Sequence, residues 1–201
     1  VLPAVEAVKR HFPEAVVSVD TYRAALAREA MACGGDIIND ISAMQADEGM
    51  LSAVVDTQAP VILMHMRGVP KNMQSRCRYD NVVQEVAAYL LERAQLLQKH
   101  GVGPDKVLLD PGIGFAKDKD QNLQLIQGLE ALTGTAYPVL MAASRKTVVG
   151  QVLGGLPAEE RLEGTLAISA ASVYAGADMV RVHDVKENVR LIRMLEAIRR
   201  A

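Results

Sequence analysis

Carboxylates, amides and cations recur in this sequence directly after short apolar runs. Asp20 follows Val16-Val17-Ser18-Val19, Asn39 and Asp40 follow Ile37-Ile38, and Asp110 follows Leu108-Leu109. A carboxylate such as Asp20 can stabilise developing positive charge or cap a helix N-terminus. Asn39 offers an acceptor and two donors suited to the edge of a heterocycle, with a turn-forming Asn-Asp pair as an open alternative. Asp110 begins the segment Asp110-Pro111-Gly112-Ile113-Gly114-Phe115, in which a proline and two glycines fix the loop backbone. Its carboxylate can accept paired N–H donors from a guanidine-like N–C–N unit, as in a 2-amino-4-oxo heterocycle. Phe115 can then pack near an aromatic substrate, whereas a structural turn with a capping aspartate is the competing reading.

Cations gather later in the chain. Lys146 ends Ser144-Arg145-Lys146 after the apolar run Val139-Leu140-Met141-Ala142, and can donate to a carbonyl or ring nitrogen. A solvated basic loop remains the other reading. Arg181 and His183 flank Val182, so on a strand they point to the same side and form a small anion site. A core histidine is the alternative. No HExxH or cysteine cluster suggests zinc, and Ser144 lacks the GxSxG context of a nucleophile. His11 and His100 read as surface groups, and Cys33 and Cys77 as reduced thiols of a cytosolic protein.

The elements that must position these groups alternate regularly. Apolar runs at Ala15–Val19, Asp36–Ile41, Pro60–Met66, Lys106–Leu109, Tyr137–Ala142 and Ala177–Val182 read as strands buried on both faces. Helical spacing marks Val1–His11, Tyr22–Cys33, Gly49–Thr57, Val82–His100, Gln121–Leu132, Ala158–Ala175 and Lys186–Arg200. In Val82–His100 the apolar stripe is Val83, Val86, Leu90, Ala94 and Leu97. Six βα units of roughly thirty residues each imply a parallel sheet with right-handed crossovers. An open doubly wound sheet and a barrel both fit, but no GxGxxG or Walker motif is present. Polar residues at nearly every strand's C-terminal end favour a TIM (β/α)8 barrel. Such a barrel takes ~250 residues, so this chain is expected to be an incomplete one, with about six units in a single domain over residues 1–201.

Half the residues are apolar and the net charge is −2, as for a soluble globular chain. Balanced charge and few aromatics exclude a general nucleic-acid surface. No run of about 18 apolar residues is long enough for a membrane span.

Seven segments, read in order, resemble the dihydropteroate synthases: Ser18–Tyr22, Asp36–Ile41, Leu63–Gly68, Asn72-Met73-Gln74, Asp110–Phe115, Ser144–Lys146 and Arg181–Val185. That family is a TIM barrel and a cytoplasmic transferase of folate biosynthesis, the target of sulfonamides. It joins 6-hydroxymethyl-7,8-dihydropterin pyrophosphate to p-aminobenzoate through a pterin cation and releases pyrophosphate. The resemblance implies that Asp20, Asn39, Asp110 and Lys146 hold the pterin, with Ile62, Met64 and Phe115 as apolar contacts. It implies catalytic roles for Asp20 and Lys146, and a pyrophosphate site at Arg181 and His183. Thr147 and Phe115 would hold p-aminobenzoate, with Thr147 near a helix N-terminus.

The family uses Mg2+, whose asparagine ligand belongs to an N-terminal segment this sequence does not show, so no metal residue is expected here. A homodimer is implied through the last helix, where Val189, Ile192, Leu195 and Ile198 form an apolar stripe, although packing within the chain explains that stripe equally well. Ala142 and Thr147 stand where the family usually has glycine and serine. Without the family's first two strands, this chain alone is expected to be inactive. Two other readings are a methyltetrahydrofolate-binding methyltransferase barrel and a non-catalytic pterin-binding piece. The Met64-His65-Met66-Arg67-Gly68 and Ser144-Arg145-Lys146 segments favour the synthase over the methyltransferase.

Overall fold

A computed structural model describes residues 1–69 and 71–201, without the side chain of Gln74. The chain forms two compact units, one of Val1–His65 with Ala88–Asp110 and one of Met66–Ala87 with Pro111–Ala201.

The first unit carries α1 (Leu2–His11), β1 (Ser18–Asp20), α2 (Ala24–Ala32), β2 (Ile37–Asp40), α3 (Met50–Thr57), β3 (Val61–Met64) and β4 (Val107–Asp110). The long helix α4 (Val82–Lys99) ends in this unit. Its buried stripe is Val82, Val86, Leu90, Ala94 and Leu97, so Val82 takes the place expected for Val83. The four strands form one parallel sheet in sequential order. β2, β3 and β4 are almost wholly buried, which explains their unbroken apolar runs.

Register and pleat divide the side chains of this sheet into two sets. Val19 packs with Val5 of α1 and Ala30 of α2, so its face of the sheet meets the helices. Ser18 and Asp20 therefore point the other way. Asp20 is in register with Asn39, Asn39 with Ile62, and Met64 with Asp110. All five residues consequently share the face that is turned away from α1 and α2.

The second unit holds α5 (Lys119–Gln127), α6 (Glu130–Thr133), β5 (Leu140–Met141), α7 (Thr147–Val152), α8 (Leu162–Tyr174), β6 (Met179–Val180) and α9 (Val185–Arg200). β5 and β6 pair in parallel. Asp118 caps α5 in a reciprocal capping box with Gln121. The single helix expected over Gln121–Leu132 is instead two, broken at Gly128, where a Cβ would lie 2.9 Å from Val83 Cγ2. Helix α7 has no counterpart in the sequence pattern, because six residues are too few to show a period. The expected strand Ala177–Val182 shrinks to Met179–Val180. Arg181 and His183 thus lie beyond the assigned strand, both exposed, with Val182 between them half-buried. The Arg181 N–H still continues the ladder by donating to Met141 O at 2.9 Å.

Candidate active site

Four adjacent strands in the first unit end in polar or polarisable groups on one face. Asn39 is buried, and its Nδ2 donates to Asp20 Oδ2 at 3.0 Å. A carboxylate only accepts, so this contact fixes the amide orientation with oxygen on the other side. That oxygen, Asn39 Oδ1, is buried and accepts no hydrogen bond from the described residues. A buried acceptor without a donor costs about 1–3 kcal/mol, which a ligand bearing an N–H group would recover. Ile62, Met64 and Asp110 are buried on the same face, the first two as an apolar floor and the third as a carboxylate. Asp20 does not cap a helix: Arg23 holds the N-cap position of α2, and the Ala24 N–H donates to Asp47 at 2.8 Å. Asp110 is no cap either, since Asp118 performs that role for α5.

Asp40 points the opposite way and does the work of a turn. It is fully buried, and it accepts from Ser42 N at 2.8 Å, Ser42 Oγ at 2.7 Å and Met44 N at 2.7 Å. Burial pushes its carboxyl up, opposed by those hydrogen bonds and by the Arg93 charge. Arg93 Nε donates to Ala43 O at 2.8 Å, and Tyr89 Oη donates to Ser42 O at 3.3 Å. These bonds hold Ala43 and Met44 at positive φ, a conformation rare for residues with a Cβ. The turn therefore falls to Asp40, while Asn39 serves the other face of the same strand.

The second unit contains a cavity of about 700 Å³ whose walls include Phe115, Lys117, Arg145, Lys146 and Thr147. Lys146 Nζ donates to Ile113 O at 2.5 Å and lies 4.8 Å from the centre of the Phe115 ring. Its neighbour Arg145 is turned elsewhere by a left-handed backbone, φ +57. Arg145 N–H donates to Thr165 Oγ1 at 3.0 Å, and its carbonyl accepts from Arg161 Nη1 at 2.8 Å. Its guanidinium forms a two-bond fork with Asp184, at 2.9 and 2.5 Å. This pairing holds the Asp184 carboxyl below its usual range. The two consecutive cations are thus not one solvated basic loop: the Arg145 charge is matched by Asp184, while Lys146 reaches over Phe115.

Thr147 is the first residue of α7, as expected, and it also faces the cavity. Among the described residues, neither Arg181 nor His183 belongs to this cavity wall. His183 is organised by Ser144: its N–H donates to Ser144 Oγ at 3.1 Å, and its Nδ1 lies 3.0 Å from the same oxygen.

Some residues of these sites carry no sequence signal. Lys117 and Asn122 are buried beside the cavity loop, yet Lys117-Asp118-Lys119-Asp120 alternates in charge as a solvent-facing run does. Arg93 reads as the polar side of an amphipathic helix. The Gln74 side chain of the Asn72–Gln74 segment lies outside the described residues.

A family described as "Pterin binding enzyme" matches residues 1–183. The dihydropteroate synthase of Escherichia coli (strain K12) is 42% identical over 197 residues, which are 98% of this chain and 69% of that protein. Solved structures that match the whole chain include two dihydropteroate synthases. Dihydropteroate synthase of Yersinia pestis, in a sulfonamide complex, has a TM-score of 0.94 at 39% identity, with 72% of that chain covered. Dihydropteroate synthase of Xanthomonas albilineans with 4-aminobenzoic acid has a TM-score of 0.92 at 35% identity, with 71% covered. The six parallel βα units are those of a TIM barrel. With the acceptor-lined sheet face and the cationic cavity in place, the chain belongs to the dihydropteroate synthases, pterin-binding transferases.

Proposed function

We propose that the chain, as one pterin-binding domain, uses these residues to condense 6-hydroxymethyl-7,8-dihydropterin pyrophosphate with p-aminobenzoate. The observation that carries the assignment is the buried, unsatisfied Asn39 Oδ1 beside Asp20. It requires an N–H donor, and the buried Asp110 carboxylate on the same face can accept from another. The amino-pyrimidinone half of a pterin supplies such donors on a flat ring, for which Ile62 and Met64 provide an apolar floor. Lys146 donates to the pterin carbonyl or ring nitrogen and packs over Phe115. Phe115 and Thr147 hold p-aminobenzoate, whose carboxylate suits a cavity walled by Lys117 and Lys146. The bound ligand named for the Xanthomonas albilineans enzyme supports this part.

In the reaction the exocyclic C–O bond breaks and its electron pair leaves with pyrophosphate. Arg181 and His183 accept the departing anion, while the carboxylates of Asp20 and Asp110 stabilise the pterin cation. The amine lone pair of p-aminobenzoate then forms the C–N bond and its proton is lost to solvent. Among the described residues no group of three or more His, Cys, Asp or Glu side chains could hold a metal ion. Mg2+ stays part of the proposal as the cofactor the family implies, with no ligand assigned to the residues described.

A homodimer in the cytoplasm completes the proposal. Met194 and Ile198, one turn apart on α9, are exposed apolar groups, and both cysteines are free thiols. No described helix is long and apolar enough to cross a membrane.

The test is calorimetric titration of 6-hydroxymethylpterin into Asn39→Ala. Loss of the buried acceptor should weaken binding about tenfold or more, with thermal stability close to the parent. Undiminished affinity in a folded variant would overturn the assignment.

A further inference from the structure

Lys117 is an unusual lysine: it is 3% exposed, in a loop beside the cavity. Burying an ammonium is costly unless its protons are hydrogen-bonded. Lys117 Nζ donates to Gly112 O at 3.1 Å and to Phe115 O at 2.9 Å. It therefore draws together both ends of the turn that presents the Phe115 ring. That turn needs holding, because Gly112, Gly114 and Ala116 all have positive φ, and Ala116 carries a Cβ. Buried Asn122 adds a second set of bonds. Its Oδ1 accepts from Gly114 N at 2.7 Å, and its Nδ2 donates to Lys117 O at 3.2 Å and Asp118 O at 2.7 Å. Tyr79 Oη donates to Ala116 O at 3.0 Å. Lys146 crosses the same turn, its Nζ on Ile113 O, and a Cβ at Gly114 would sit 3.4 Å from its Cδ. Two lysines thus divide the carbonyls of one loop: Lys146 faces the cavity over the ring, and Lys117 holds the backbone from below.

We propose that Lys117 is a positioning residue for aminobenzoate binding, its buried ammonium clamping the Gly112 and Phe115 carbonyls so that the Phe115 ring stays fixed beside Lys146. The inference rests on assigning this cavity to p-aminobenzoate, but the clamp can be tested without ligand. The chain contains only two phenylalanines, Phe12 and Phe115, and Phe12 is exposed. Fluorophenylalanine therefore gives one ¹⁹F line for the loop and one internal reference.

In Lys117→Met the Phe115 line should shift and broaden while the Phe12 line stays in place. Titrating p-aminobenzoate against the Phe115 line should then require about tenfold more ligand, and Lys117→Arg should restore part of both effects. A Phe115 line unchanged in position and width, with only the thermal midpoint lowered, would overturn the proposal. If the parent line ignores p-aminobenzoate while Lys117→Met still disturbs it, the clamp stands and the substrate assignment falls. Should Lys117→Met fail to fold, ¹⁵N-lysine spectra of the parent protein decide. A solvent-protected ammonium with cross-relaxation to the Gly112 Hα protons supports the clamp, and its absence refutes it.

Discussion

Asn39 shows how one neighbour can fix a side chain's chemistry. An isolated asparagine presents both donor and acceptor, but with its nitrogen committed to Asp20 only the oxygen is left to meet a ligand. Arg145 and Asp184 show the same control through charge. Their pairing depresses the folded-state carboxyl of Asp184 relative to its unfolded value. Its stabilising contribution is therefore present above the unfolded value of about 3.9 and is lost as pH falls through the lower folded value. Thermal midpoints of the parent and Asp184→Asn should accordingly differ at neutral pH and converge below about pH 4. A constant gap down to pH 2 would exclude the pair as the cause. Asp20, Asn39 and Asp110 each follow an apolar run directly, which made their place at the strand ends legible, whereas Lys146 stands beyond Ser144-Arg145. Lys117, Asn122 and Arg93 were not legible, because a buried cation or amide in a polar stretch looks the same in sequence as a solvated one.

At the scale of elements, pleat parity does most of the sorting. Asp20, Asn39, Ile62, Met64 and Asp110 fall on one face once Val19 is seated against α1 and α2, while Asp40, one residue on from Asn39, serves the other. The order and type of the six βα units followed from apolar runs and glycine stops. What failed was extent. β6 keeps two residues, because pairing rather than apolar content ends a strand, so Arg181 and His183 follow the strand rather than belong to it. Close helix packing was equally hidden. A Cβ on Gly164 of α8 would lie 2.3 Å from Val149 Cγ1 of α7 and 3.0 Å from Leu153 Cδ1. In an exposed helix, glycine-to-alanine stabilises by about 0.5–1 kcal/mol. Here overpacking should reverse the sign, and Gly164→Ala should destabilise by about 1–3 kcal/mol. Denaturant titration reads this directly, and a stabilised variant would show that α7 yields freely.

For the whole molecule, the match to solved dihydropteroate synthases extends over the full chain. Net charge is only −2, so long-range electrostatics is weak and recognition must come from local groups. The proposed dimer makes a direct prediction: replacing exposed Met194 and Ile198 with glutamate should halve the mass found by light scattering, without lowering thermal stability by more than about 0.5 kcal/mol. A parent that is already monomeric would remove this part of the account. The central claim concerns the acceptor-lined sheet face, and it is tested most directly by a crystal structure with 6-hydroxymethylpterin bound. Asn39 Oδ1 should accept a ring or amino N–H at about 2.9 Å, with the Asp110 carboxylate on the same pyrimidinone edge. A pterin seated elsewhere, with Asn39 Oδ1 still lacking a donor, would contradict the account.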